Sequence, residues 1–386
     1  MQFTLHGQKA RKNVRGTMKE RKCNAISFFS GGGGLDLGAE AAGFVTRLCI
    51  DNDRASCQTL KQNRNVSRGG GKKFLSEANI YNQDITKLTP SDILKGADLN
   101  ESEVDLIYGG PPCQAFSVFG RRKGMEDPRG PLLLEFVEAI HDIRPQVFVL
   151  ENVPGLKTIS AGQVYKDLVE LLKKKTNGGK YNVQPFILNV RDFGVPQVRE
   201  RIIIIGSRKK IEIPPPLPTH GSSAGLTVFK DKLIPYNTVE DAFRHLPKIG
   251  SLPNHTGREH SDDVRDRYDK LKFGERDSVT RINRLDPRKP SYTIIVGSEH
   301  GGGKGHVHPY EPRELTPRES ARIQTFPDDW EFIGTRRETI RQVGNAVPPI
   351  FAAQLFRHIQ KNIFKDSNAP AVEELFHILG QQHLRF

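Results

Sequence analysis

Cys113 is the side chain in this sequence most suited to nucleophilic chemistry. It follows Gly109-Gly110-Pro111-Pro112 and precedes Gln114, just after the apolar run Val104–Tyr108. Two prolines fix the backbone and remove two amide donors, so the turn is rigid and holds the thiol at a strand end. A free thiol is only about a few per cent thiolate near neutral pH, so activation needs a helix N-terminus or a nearby arginine. A buried turn cysteine is the alternative. Glu151 in Glu151-Asn152-Val153 ends a second apolar run, Gln146–Leu150. A carboxylate at such an edge is costly unless paired or used; it is read as a proton donor or as a cap for the next segment. In Gln197-Val198-Arg199-Glu200-Arg201, extended alternation puts 197, 199 and 201 on one face. Two arginines there suit an anionic or carbonyl-rich target, with salt bridges to Glu200 or a neighbouring strand as the alternative.

A second set of residues reads as a ligand site. Gly31-Gly32-Gly33-Gly34 follows the strand Ala25–Phe29 and precedes a helix from Leu35 to Ala42. Glycine tolerates positive φ and lets backbone approach a ligand closely, and the helix presents its N-terminus there. Asp51 ends the next strand, Val45–Ile50, where an acid accepts hydrogen bonds from a ribose. Asp84 occupies the equivalent place after a third strand, facing an adenine amino group. The GxGxxG spacing of dinucleotide folds is absent. That points to a nucleoside cofactor without phosphate, S-adenosylmethionine, over a purely structural turn.

The elements that must position these residues alternate. Strands are expected also at Val183–Val190 and Arg201–Gly206, and helices at Leu132–Asp142, Val164–Lys175, Thr316–Gln324 and Pro348–Phe364. Such alternation predicts an α/β fold, a doubly wound and mostly parallel sheet, which binds ligands beyond the carboxyl ends of its strands. Four segments are expected: a basic arm over 1–23, a catalytic and cofactor-binding domain over 24–206, a loop-rich module over 207–312, and helices over 313–386 that return to the catalytic domain. The prolines at 214–216 and 218 punctuate the second boundary.

Composition narrows the function classes. The net charge is +13 over 386 residues, which favours a polyanionic partner. The four cysteines, at 23, 49, 57 and 113, show no CxxC spacing and no zinc-like cluster with histidine, so no metal is expected and Cys49 and Cys57 read as small core residues. No run approaches the roughly 18 apolar residues of a membrane span, and no secretory signal is visible, so a cytoplasmic protein is expected.

Taken together and in order, these motifs resemble the cytosine carbon-5 DNA methyltransferase family of the bacterial restriction-modification type. The resemblance rests on Phe29-Ser30-Gly31-Gly32-Gly33-Gly34, Gly110-Pro111-Pro112-Cys113-Gln114, Glu151-Asn152-Val153, Gln197-Val198-Arg199-Glu200-Arg201, Arg318-Glu319-Ser320-Ala321-Arg322 and Gly344-Asn345-Ala346-Val347. It implies the S-adenosylmethionine-dependent methyltransferase fold, with residues 207–312 as target-recognition domain. It also implies that Cys113 attacks carbon 6 of a flipped-out cytosine. Glu151 would bond ring nitrogen 3, Arg201 would hold the base carbonyl, and Arg199 would support it. Phe29, Gly31, Gly33, Asp51, Asn52, Asp84, Ile85, Leu132 and Asn345 would line the cofactor site, and Gln114–Gly130 would be the loop that closes over the base. Double-stranded DNA is the implied substrate, the chain is expected to be monomeric, and a separately encoded restriction endonuclease is the expected partner. Ser27 departs from the family, many members of which carry an acid there. A tRNA cytosine methyltransferase of the same fold and a catalytically silent DNA-binding member are the alternatives. The chain lacks the Cys-Phe-Thr tripeptide of the tRNA branch, and Cys113, Glu151 and Arg201 are intact. In residues 207–312, 18 Lys/Arg stand against 14 Asp/Glu, a small excess, so specificity there would come from a few side chains at base edges.

Overall fold

The computed structural model describes residues 22–68, 71–112, 131–175, 179–222, 233–294 and 305–386. Cys113 and the expected closing loop over 114–130 lie outside the described residues.

Seven strands form one sheet: Cys23–Phe28 (β1), Phe44–Asp51 (β2), Asn79–Asn82 (β3), Leu106–Gly109 (β4), Val147–Asn152 (β5), Asn182–Asn189 (β6) and Glu200–Ser207 (β7). Their spatial order is β3-β2-β1-β4-β5-β7-β6. β1, β2, β3, β4 and β5 pair in parallel, while β7 runs antiparallel to both β5 and β6. The reversal has a simple cause. A parallel return needs a crossover of roughly a dozen residues, usually a helix, whereas 190–199 supplies only the short helical turn Val190–Phe193.

Strand alternation divides the core in two. Ala25, Leu106, Tyr108, Val147, Val149, Ile203 and Ile205 face one layer, and Ile26, Phe28, Ile107, Phe148, Leu150, Ile202 and Ile204 face the other. The helices Pro131–Ile143 (α4) and Gln163–Lys173 (α5) cover the second layer. The first is covered by Gly34–Ala41 (α1) and by Pro349–Ile359 (α10), which returns from the far end of the chain. A Cβ on Gly38 would lie 2.3 Å from the Cβ of Ala352 and 2.6 Å from the amide of Ala353, so only glycine lets these two helices approach so closely.

Several elements had weak signals. The helix Arg54–Asn63 (α2) buries mainly small or polar residues, so its apolar period is faint, although Asp53 caps it by accepting from the Ser56 amide at 3.0 Å. Pro90–Ala97 (α3) and Arg336–Asn345 (α9) each begin with a reciprocal capping box, Thr89 with Asp92 and Thr335 with Glu338. The second has the sequence form Thr-x-x-Glu and was readable. The expected helix over 348–364 is α10 followed by a wider turn, Gln360–Phe364. Residues beyond the composition change at 207 also pack on the sheet. Ile213, Val239, Ala242, Leu285 and Ile294 join the main core, and a separate small core holds only Tyr268, Ile282 and Val307 among its buried members. Cys49 and Cys57 are buried core residues. No helix among the described residues is long and apolar enough to cross a membrane, and these residues hold no metal-like cluster.

Candidate active site

The carboxyl ends of the parallel strands carry the chemistry. After β1 the chain turns sharply, with Phe29, Gly31 and Gly33 all at positive φ. The Gly31 amide donates to Asp51 Oδ2 at 2.7 Å and the Asp53 amide to Asp51 Oδ1 at 2.8 Å, so the acid ending β2 is held in one orientation. Burial pushes the Asp51 carboxyl up, and the two amides oppose that shift in part. A cleft beside this turn is lined by Phe29, Ile50, Asp51, Asn52, Gln83, Asp84, Ile85 and Leu132. Six of the nine expected cofactor residues thus share one cleft. Gly31 and Gly33 form the turn behind it, and Asn345 ends α9 as an exposed residue. Ile50 and Gln83 are added to the expected set. Asp84 turns back to accept from the Thr86 amide at 3.1 Å and the Thr86 hydroxyl at 2.9 Å.

The C-terminal region builds the back wall. Trp330 Nε1 donates to the Gly32 carbonyl at 3.1 Å. A Cβ on Gly33 would lie 2.7 Å from the Trp330 ring, and one on Gly34 only 2.0 Å from the Val347 carbonyl oxygen. The glycine run is therefore demanded by tertiary packing as much as by a ligand. Ser27, at the position of the family's acid, meets the Ser30 hydroxyl at 2.8 Å. In the same layer, the fully buried Asp36 accepts from the Tyr108 hydroxyl at 3.0 Å, and burial pushes its carboxyl up.

The second half of the site lies two and three strands from β1. Glu151 near the end of β5 and Arg201 near the start of β7 form an ion pair at 2.7 Å, each side chain about 11 % exposed. Gly110 makes room for it: a Cβ there would sit 2.7 Å from Glu151 Oε2. Asn152 Nδ2 donates to the Pro111 carbonyl at 3.1 Å, tying the proline turn to β5 two residues before Cys113. Thus three strand ends bring the Pro111-Pro112 turn, Glu151 and Arg201 together.

Arg199 goes elsewhere. It is 2 % exposed, and its guanidinium donates to the carbonyls of Gly344 at 2.9 Å, Ala346 at 3.1 Å and Ile294 at 3.3 Å. It does not reach the Glu151–Arg201 pair as a second arm, because the last carbonyls of α9 and the residue after it occupy it. Burial, with the Arg201 charge, pushes its pKa down to about 9. Helix-end carbonyls carry partial negative charge and offset part of that burial. Gln197 completes the clamp. It donates to Gln324 Oε1 at 2.8 Å and accepts from the Ile294 amide at 2.9 Å, while Gln324 donates to the Val343 carbonyl at 2.7 Å. Gln324 and Trp330 carried no signal in the sequence, since a single buried amide or indole has no period or spacing.

Similarity to known proteins agrees with this geometry. The family model for C-5 cytosine-specific DNA methylase matches residues 23–361. The Type II methyltransferase M1.HphI of Haemophilus parahaemolyticus is 33% identical over 355 residues, covering 87% of this chain and 86% of that protein. The Type II methyltransferase M.AquIA of Picosynechococcus sp. is 41% identical over 229 residues, 58% of this chain and 88% of that protein. A crystal structure of a protein described as a prophage-encoded DNA modification methyltransferase of E. coli superposes with a TM-score of 0.69 at 29% identity, covering 89% of this chain and 100% of that one. The S. pombe Dnmt2 methyltransferase, at 18% identity and a TM-score of 0.59 over 88% of this chain and 99% of that one, shares the fold. The strand ends that converge on Glu151 and Arg201 are therefore those of a DNA cytosine-5 methyltransferase, and this chain belongs to the C-5 cytosine-specific DNA methylase family.

Proposed function

We propose that the chain methylates carbon 5 of a cytosine flipped out of double-stranded DNA, with S-adenosylmethionine as donor and Cys113 as covalent nucleophile. The observation that carries this reading is the Glu151–Arg201 pair at 2.7 Å, held over the Gly110–Pro111 turn that leads into Cys113. The donor fits the cleft by chemistry. Its lining holds two carboxylates, an aromatic ring and three aliphatic side chains, and no lysine or arginine. Such a lining suits a cationic nucleoside without phosphate and repels a nucleotide. When bound there, the donor supplies an electrophilic methyl group.

The chain's own residues do the rest. The Cys113 thiolate adds to carbon 6, and the electron pair displaced from the ring double bond makes carbon 5 nucleophilic. Glu151 bonds ring nitrogen 3 and Arg201 the ring carbonyl, so charge gained by the ring is met by groups already fixed. After methylation, loss of the carbon-5 proton and of the thiolate restores the aromatic ring. Flipping the base costs about a few kcal/mol, which contacts to the extruded base offset. Asn345, with Asp51, Asn52 and Asp84, holds the donor, and Arg199 positions Asn345 by gripping the carbonyls on either side of it. The Type II naming of its relatives supports a separately encoded endonuclease as partner, and we propose that the chain acts as a monomer in the cytoplasm.

The test is covalent trapping. The wild-type protein with S-adenosylmethionine should form a denaturation-stable adduct on DNA containing 5-fluorocytosine, and Cys113→Ser should form none while still binding the donor. Methylation by Cys113→Ser at the wild-type rate would refute the mechanism.

A further inference from the structure

The sheet has a second charged end, remote from the active site. Register places Val147 of β5 opposite Ser207 of β7, and Ser207 opposite Asn182 of β6. This is the end where the parallel strands begin. Here the chain leaving β7, Arg208-Lys209-Lys210, meets Lys180 before β6 and Lys174-Lys175 after α5. The segment after Ser207 is tied to this edge: the Arg208 amide donates to the Gln146 carbonyl at 3.0 Å, and Asn182 donates to the Ile211 carbonyl. A broad groove at this edge is lined by Lys173, Lys174, Lys175 and Lys180 against two acids, Asp167 and Glu170, together with Tyr181 and Asn182, so cations exceed acids by two. Seven residues separate Arg201 from Arg208, so the two ends lie roughly 23 Å apart along the strand at about 3.3 Å per residue.

Two local explanations cover only part of the cluster. A cation in the last turn of α5 complements the helix dipole, and Lys173 does this while pairing with Glu170 at 3.4 Å. Lys209 donates to the Ile363 carbonyl at 2.9 Å and so caps the wider turn Gln360–Phe364 after α10. Lys174, Lys175, Lys180, Arg208 and Lys210 are exposed and have no ion-pair partner among the described residues. Like charges gathered from three chain segments repel one another, and an external anion relieves that repulsion.

We infer that this end of the sheet is a second DNA-binding surface, which holds a duplex segment distinct from the one being methylated. The inference rests on the proposed action on duplex DNA and goes beyond it. The chemistry selects duplex phosphate. Lysine is a point-charge phosphate ligand without base-reading geometry. None of the exposed large hydrophobic side chains, such as Phe273 or Tyr292, belongs to this patch. Single-stranded nucleic acid needs exposed aromatic platforms, and a membrane surface favours apolar side chains beside the cations; the patch offers neither. A second duplex held there would keep the enzyme on long DNA between methylation events.

A bridging assay tests this. Protein is bound to a duplex on beads, the excess is washed away, and a labelled second duplex is added. Wild type should capture the second duplex at least tenfold more than the variant Lys174→Glu/Lys175→Glu/Lys180→Glu/Arg208→Glu. Loss of four phosphate contacts should also lower the slope of log affinity against log salt by up to about 3.6, at about 0.9 per contact. Both proteins should methylate unmethylated genomic DNA sheared to short fragments at equal initial rates, which separates this inference from the catalytic one and shows that the variant folds. If the glutamate variant is misfolded, the same four positions changed to glutamine replace it. Equal capture by wild type and variant overturns the inference, as does no capture by wild type. Capture of phosphatidylserine vesicles in place of duplex also overturns it and assigns the patch to membranes.

Discussion

Gly110→Ala is the most discriminating single change in this site. An added Cβ would lie 2.7 Å from Glu151 Oε2, and its next neighbours, other atoms of Glu151, stand 3.8 Å away. Ordinary contact begins near 3.4 Å, so the carboxylate oxygen must withdraw by 3.4 − 2.7, about 0.7 Å. Gly110 does not sit at positive φ, so no backbone strain accompanies the change. The obstructed atom is the tip of a side chain, which can rotate at small cost to the fold. It cannot rotate without disturbing the 2.7 Å pair with Arg201 and its own place at the base. Displacements approaching 1 Å cost up to about a hundredfold in rate. A loss of about 10- to 100-fold in single-turnover methyl transfer is expected, or about 1.4 to 2.7 kcal/mol of barrier, with the melting temperature nearly unchanged. Gly38→Ala is the contrast. There the clash at 2.3 and 2.6 Å is with Ala352 and the backbone of α10, so overpacking of about 1–3 kcal/mol should appear in thermal unfolding. Full activity in Gly110→Ala, or a fold loss as large as that of Gly38→Ala, would refute the idea that this glycine exists to admit Glu151.

Further outcomes follow from the same geometry. Glu151→Gln should reduce methyl transfer by about a hundredfold or more, in the range of a lost acid–base group, and slow adduct formation on 5-fluorocytosine DNA; unchanged trapping kinetics would remove Glu151 from the mechanism. Gln324→Leu breaks the link from Gln197 to the Val343 carbonyl and leaves two buried polar groups unpaired. It should raise KM for S-adenosylmethionine several-fold while kcat changes less, and an effect on melting temperature alone would mean that Gln324 only stabilises the fold. Glu40 supplies a pH test. Burial pushes its carboxyl up to about 7, against hydrogen bonds from the Leu75 and Thr46 amides and the Lys72 charge. A raised folded pKa means that the folded state binds the proton more tightly, so this stability is complete below about 4.5 and is lost as pH rises through about 7. The contribution is roughly 3 kcal/mol, at about 1.4 kcal/mol per unit. Glu40→Gln should flatten that part of the stability profile measured by urea unfolding between pH 4.5 and 8; an unaltered slope would show that Glu40 does not titrate there.

Much of the site was legible because its chemistry is local. A cysteine behind two prolines, an acid at a strand end and a glycine turn before a helix are contiguous patterns with direct physical meaning. The apolar runs Gln146–Leu150 and Ile202–Ile205 likewise place Glu151 and Arg201 each at a strand end. Their meeting at 2.7 Å required the sheet order, in which β7 enters between β5 and β6.

Arg199 shows where sequence reasoning stopped. Alternation put it on the face of Arg201, yet face does not decide reach. Residues 344–346, almost 150 positions later, offered three carbonyls and took the side chain away. Composition changes at Ser207, and Ile213, Val239 and Leu285 beyond it still bury themselves in the main core. Burial rewards any apolar contact within reach, whatever its place in the chain.

The sequence by itself therefore determined the chemical vocabulary: the thiol in its rigid turn, the acids at the ends of β2 and β5, the arginines around the start of β7 and the glycine run after β1. Only the tertiary structure decided which of these act together. Trp330, Val347 and Gln324 reach the site from the far end of the chain, and they do so because α10 must cover an apolar face of the sheet. Hydrogen bonds and close packing depend on distance in space, and sequence separation does not carry that distance.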